Sequence, residues 1–250
     1  MDAFNRWDHI PQKLKYFELS KDEWGQFHRV ISNIANRRRK LERVIGVSQG
    51  DFLIFNEKGT RSPIYWCFND WSEALLLARK LGDDQPLVAM HSLYSVTKNW
   101  RTKTRFHEHL ALRYFENIDP KNCKGPLVFG GNCQAAPLAE SIAILTSKKL
   151  NIQPLVITME YVPRRQYRGP MLMLFGRESG FNPFFNSNME PVSIWNSSHR
   201  DFAWGFLDAC HGGYFKEPAI DQLKRYIEKT VAIFKLKEGS QSAIFVRPLD

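Results

Sequence analysis

One short segment, Pro126-Leu-Val-Phe-Gly-Gly-Asn-Cys-Gln-Ala-Ala136, constrains the fold of this chain more than any other. The apolar run Pro126 to Phe129 reads as a strand, and a helix-like run begins near Pro137, so strand and helix are joined with almost no loop between them. A chain that turns this sharply strains the backbone at the bend and brings the two elements close together, so small residues must flank it. Gly131 before the bend and Ala135 after it meet that need. A nucleophile at such a bend is a nucleophile elbow, usually written G-x-S-x-G. Here the pattern is G-x-C-x-A, with Cys133 at the bend. Most free cysteines are small buried hydrophobes. A core cysteine, however, has no need of two preceding glycines, a strand-to-helix junction and an alanine pair behind it.

Periodicity supplies the elements around this junction. Ser20-Lys-Asp-Glu23 is a capping box, and Trp24, Phe27, Val30, Ile31 and Ile34 follow at helical spacing, which predicts a helix over 21–43. Its basic end, Arg37 to Lys40 and Arg43, offsets the helix dipole, and Gly46 supplies the stop. Phe52 to Phe55 and Ile64 to Phe68 read as two strands of a hairpin turning at Gly59. Helices are expected over 71–81, 104–118, 137–150 and 218–234. Further strands are expected over 86–90, 154–158 and 171–175, with a terminal strand over 243–246. Strands alternating with helices predict an α/β fold, a mainly parallel sheet with helices on both faces. The expected division is a helical extension over 1–50, acting as cover or linker, and a main domain over 51–250.

Composition narrows the function classes. A chain of 250 residues, 43% of them hydrophobic, can bury one substantial core. Its four cysteines include no C-x-x-C pair, which argues against a zinc ribbon or disulfide framework and fits reduced thiols in a cytoplasm. There is no apolar leader and no run of about 18 apolar residues, so a soluble, non-exported protein without a membrane partner is expected. The net charge of +9 favours acidic partners. No aromatic platform interleaves the basic residues, and nucleic acid is not an expected partner. Two basic clusters, Lys98, Arg101, Lys103 and Arg105, then Arg164, Arg165 and Arg168, each follow a candidate strand. They are either solvated loops or the rim of a cleft. His107 and His109 lie two residues apart, so they point to different sides of a helix, and H-E-x-x-H is absent; no metal site is expected.

From about Gly59 to Lys235 the chain resembles the thioesterase domains that release acyl chains from polyketide and non-ribosomal peptide assembly lines, members of the α/β-hydrolase superfamily. The resemblance rests on Arg61-Ser-Pro-Ile-Tyr-Trp-Cys-Phe68, Leu81-Gly-Asp-Asp-Gln-Pro-Leu-Val88, the elbow Gly125 to Gln134, Met171 to Gly176, and His211-Gly-Gly-Tyr-Phe-Lys-Glu-Pro218, in the family's order. The elbow and the histidine loop are its specific parts. It implies Cys133 as nucleophile, His211 as general base, and as acid Glu160, or Glu178 if the acid stands one strand later. It implies an oxyanion hole made by the backbone N–H of Gln134 with that of Phe68 or Asn69. No cofactor is implied, because phosphopantetheine arrives on an acyl or peptidyl carrier protein. The basic residues Lys98, Arg101, Arg164 and Arg165 would face that carrier or the pantetheine phosphate. Thioesterases of this type often insert a helical lid after the strand that ends near Glu160. Here Tyr161 to Gly169 leave no room for one.

The thiol bears on the reaction expected. Cys133 would form a thioester, which keeps most of the donor's transfer potential, so acyl transfer or cyclisation is favoured with hydrolysis close behind. Two other readings stay open: an inactive binding module on the same fold, and a cysteine-dependent esterase or coenzyme A acyltransferase.

Overall fold

The structure is a computed structural model and describes residues 18–45, 47–120, 125–163, 167–186, 191–199 and 201–237. Eight strands form one sheet: β1 (Val47–Gln49), β2 (Phe52–Phe55), β3 (Ile64–Phe68), β4 (Leu87–His91), β5 (Val128–Asn132), β6 (Leu155–Met159), β7 (Met171–Gly176) and β8 (Phe202–Leu207). Their order is β1-β2-β4-β3-β5-β6-β7-β8. β2 runs antiparallel to β1 and β4, and every pairing from β4 to β8 is parallel. Strands β3 to β7 are buried along their whole length, as a parallel sheet covered on both faces requires.

Seven helices accompany the sheet among the described residues: α1 (Lys21–Ile45), α2 (Trp71–Leu81), α3 (Trp100–Glu116), α4 (Ala136–Leu150), the short α5 (Pro183–Asn186) and α6 (Pro191–Ser198), and α7 (Ala219–Lys237). α2 packs with α7, and α3 with α4. No described residue between Glu160 and Pro170 is helical.

The hairpin expectation for Phe52–Phe55 and Ile64–Phe68 is corrected. β2 and β3 do not pair, because β4 lies between them and buries its apolar side chains against both. The connecting loop is tied elsewhere. Asn56, at φ +52°, donates through Nδ2 to the carbonyls of Ala78, Gly82 and Gln85 at the end of α2. Asp84 accepts from the backbone N–H and hydroxyl of Thr60. These bonds carry the chain across β4 before β3 begins.

Helix α1 shares the sheet's core through Phe27, Val30 and Ile34. Phe27 meets Phe106 of α3 edge to face at 5.4 Å, and Glu23 pairs with Arg105. Burying one such phenylalanine is worth about 1.5–3 kcal/mol. The expected boundary at residue 50 falls between β1 and β2, two paired strands. His107 and His109 stand at helix interfaces: His107 Nε2 is 3.0 Å from Ser141 Oγ of α4, and His109 packs on Trp24. The expected strand over 243–246 lies outside the described residues.

Candidate active site

Cys133 ends the strand side of the elbow. Its φ of +49° is the left-handed conformation that costs a non-glycine residue strain, and it opens a short turn, Cys133–Ala135, that runs straight into α4. Both preceding glycines are sterically required. A Cβ on Gly131 would stand 2.8 Å from the Cα of Ala136, and one on Gly130 would stand 2.0 Å from a ring carbon of the buried Trp66. Cys133 is nearly buried and packs with Ala136 and Tyr161. The Tyr161 hydroxyl donates to Glu140 Oε2 at 2.8 Å.

Three residues from distant loops converge here. His211, in the loop after β8, places Nε2 3.8 Å from Cys133 Sγ, within hydrogen-bond reach of sulfur. Its Nδ1 is 3.3 Å from Glu160 Oε2. Glu160 follows β6 at φ +55° and is buried, with its carboxylate held from two further directions. Gly176 donates its backbone N–H to Oε1 at 2.8 Å, and Ser179 donates its hydroxyl to Oε2 at 2.5 Å. Glu178 is exposed, and its backbone N–H donates to the carbonyl of Ala209. Of the two carboxylates considered, Glu160 is the one beside the imidazole.

Two aromatic residues complete the histidine's surroundings, and neither was expected from the sequence. Tyr214 Oη is 3.1 Å from His211 Nδ1, and the edge-on ring of Phe181 lies 4.6 Å from the imidazole between centroids. Burial, reinforced by the charge of Glu160, pushes the Tyr214 phenol well up, so its proton stays on. Ser179 and Tyr214 had a faint signal: each lies in a turn-rich, glycine-containing segment next to a proposed site residue.

On the other side of the elbow, the β3–α2 junction forms a polar network. Asp70 caps α2, and Glu73 reaches back in a capping box. Glu73 Oε2 accepts from the backbone N–H groups of Asn69 (3.1 Å) and Asp70 (3.3 Å), and from Asn132 Nδ2 (3.2 Å). Burial nevertheless raises the Glu73 carboxyl above its usual range. Phe68 is buried within the ladder opposite His91. The backbone N–H of Asn69, expected as an oxyanion donor, is therefore already taken by Glu73, while Gln134 sits in the turn that Cys133 opens.

Lys98 is exposed in the loop after β4, and Arg168 is exposed before β7. Arg101 is the second residue of α3, and Arg164 and Arg165 lie outside the described residues. Lys103 rests over the exposed Tyr94 ring at 4.6 Å. No cluster of His, Cys, Asp or Glu that could hold a metal occurs among the described residues, and no described helix is long and apolar enough to cross a membrane.

No protein-family model matches this sequence, and no curated protein matches it. Solved structures do resemble it. The NocB thioesterase domain from the nocardicin cluster superposes with a TM-score of 0.56 at 13% identity, covering 74% of this chain and 100% of that one. RedJ, a thioesterase from the prodiginine pathway of Streptomyces coelicolor, gives 0.51 at 12% identity over 86% of this chain and 97% of its own. An α/β-hydrolase-fold protein of unknown function gives 0.53 at 10% identity, with 76% and 93% covered. The chain has the α/β-hydrolase fold.

Proposed function

We propose that the protein is an acyl-transferring enzyme that takes an acyl chain from a pantetheine thioester onto Cys133 and passes it to an amine, a hydroxyl or water. The observation that carries this reading is the contact chain Cys133 Sγ, His211 Nε2, His211 Nδ1 and the buried Glu160, set at a strained elbow. That the solved thioesterases NocB and RedJ share the fold supports it, and the NocB domain has been captured in a covalent complex with a fluorophosphonate nocardicin G analogue.

The chemistry follows from the geometry. His211 Nε2 takes the thiol proton, and the thiolate attacks the carbonyl carbon of the donor thioester. The carbonyl π electrons move to oxygen, where the Gln134 N–H, in the turn that leads into α4, meets the new charge. Collapse breaks the bond to the donor sulfur, which leaves with the proton held by His211. An acceptor then gives its proton to His211 and attacks the acyl carbon, and Cys133 is released. Glu160 keeps Nδ1 protonated, so Nε2 is free to accept from sulfur. Because one thioester replaces another, the first step is nearly balanced in energy, and a nucleophilic acceptor can compete with water in the second.

The exposed cations Lys98 and Arg168, with Lys103 against Tyr94, suit a phosphate-bearing pantetheine arm or the acidic surface of a carrier protein. The test is turnover of acyl-N-acetylcysteamine thioesters with and without a small primary amine. The expected result is thiol release that needs Cys133, with amide product rising at the expense of free acid as amine is added. Equal turnover by Cys133→Ala would remove the basis of the reading.

A further inference from the structure

Asn69 has a donor to spare. It follows β3, is 8% exposed, and its carboxamide is held at both ends: Ser92 Oγ donates to Oδ1 at 2.8 Å, and Nδ2 donates to the carbonyl of Asn132 at 3.1 Å. A carbonyl only accepts, so this second bond settles which end of the amide is nitrogen. The acceptor is the peptide group that leads into Cys133, which brings Nδ2 to the elbow itself. An amide nitrogen carries two hydrogens, and the second has no partner among the described residues. The neighbouring backbone donors are committed, since the N–H groups of Asn69 and Asp70 both go to Glu73.

We propose that Asn69 is a catalytic residue whose Nδ2–H, with the backbone N–H of Gln134, holds the oxyanion formed when Cys133 attacks an acyl donor. The inference rests on the reading of Cys133 as an acyl-accepting nucleophile. In the step concerned, the carbon–sulfur bond to Cys133 forms and the carbonyl π pair moves to oxygen. The two N–H groups bind that oxygen until the donor carbon–sulfur bond breaks and the pair returns. Ser92 fixes the carboxamide plane and Glu73 removes the competing backbone donors, so the hole is built partly from a side chain. A backbone hole would survive side-chain substitution, whereas this one does not.

The test compares two reactions of the same thiol in Asn69→Leu: single-turnover acylation by acetyl-N-acetylcysteamine, followed by intact mass, and alkylation by iodoacetamide. Alkylation occurs at a saturated carbon and forms no oxyanion. The expected result is acylation slowed about 10²–10³-fold, the loss typical of one deleted oxyanion donor, with alkylation of Cys133 within about threefold of the parent. If Asn69→Leu does not fold, Asn69→Ser carries the same expectation, because its hydroxyl is too short to reach. Unchanged acylation overturns the assignment and leaves Cys133 as nucleophile. A parallel fall in both reactions also overturns it, showing that Asn69 only positions the elbow through Asn132. Absence of acylation in the parent protein overturns the underlying reading, and this one with it.

Discussion

Replacing Glu160 with Gln tests the site most searchingly, because it changes charge and proton placement while keeping shape. The Glu160 side chain is 1% exposed and meets three donors: the Gly176 N–H, the Ser179 hydroxyl and His211 Nδ1. A glutamine oxygen can still accept from Gly176. Its amide nitrogen then replaces Oε2, and the two groups facing it must adapt. Ser179 can rotate its hydroxyl hydrogen away and accept. His211 can accept only by giving up the Nδ1 proton, which moves that proton to Nε2 and removes the base that takes the Cys133 proton. The lost charge-assisted bond alone is worth about 1.5–3 kcal/mol, a factor of roughly 10–150. Loss of the general base contributes about 10²–10⁴, and because the two effects act through one imidazole they are not multiplied. Acylation of Cys133 in Glu160→Gln should therefore fall by about 10²–10⁴. The assay is single-turnover acylation by acetyl-N-acetylcysteamine between pH 6 and 9, with Glu178→Gln in parallel. Because Glu178 is exposed and it is Glu160 that meets the imidazole, the Glu178 variant should acylate like the parent. Activity within threefold of the parent in Glu160→Gln, or a loss borne by Glu178→Gln instead, would refute the role given to Glu160.

Other consequences are quick to check. Gly130→Ala places a methyl group 2.0 Å from a ring carbon of the buried Trp66, an overpacking expected to cost about 1–3 kcal/mol and to lower the thermal midpoint by several degrees, whereas Gly180→Ala, with nothing within 4 Å of its Cβ, should melt like the parent. Tyr214→Phe removes a hydroxyl 3.1 Å from His211 Nδ1 and should slow acylation about 2- to 12-fold, well short of the Glu160 effect; an equal loss would make Tyr214, not Glu160, the group that sets the imidazole. Burial holds His91 and His199 below the usual histidine range, so near pH 6.5 the unfolded chain takes up protons that the folded one refuses. Their stabilisation is complete above that pH and is lost as the pH falls; the thermal midpoint should drop between pH 7 and pH 5, and His91→Gln should flatten the drop. A flat profile in the parent would contradict neutral burial of these rings.

Much of the site was legible because strain leaves a local signature. Gly130, Gly131, Cys133 and Ala135 are adjacent in sequence, and the close approaches that demand them belong to one turn. The order Cys133, Glu160 and His211 was readable through the resemblance. Strand pairing was not: Phe52–Phe55 and Ile64–Phe68 each look like strands, but only the later β4 decides that they are not neighbours. β8 was missed, since its Phe-Ala-Trp-Gly-Phe-Leu run lacks β-branched residues and carries Gly205 inside it. The Asn69 network was hidden for a related reason. Taken singly, Asn69, Asp70 and Glu73 spell a helix cap, which they do form; only the fold brings Ser92 and Asn132 against them.

Whether Cys133 carries the acyl chain is read most simply from the intact mass of the native protein after brief exposure to acyl-N-acetylcysteamine thioesters of several lengths. A single added acyl mass should appear, map by peptide digestion to Cys133 and not to the exposed Cys210, and vanish in Cys133→Ala. An adduct on Cys210 alone, or none with any donor while Cys133 still alkylates, would mean that Cys133 is not the acyl acceptor.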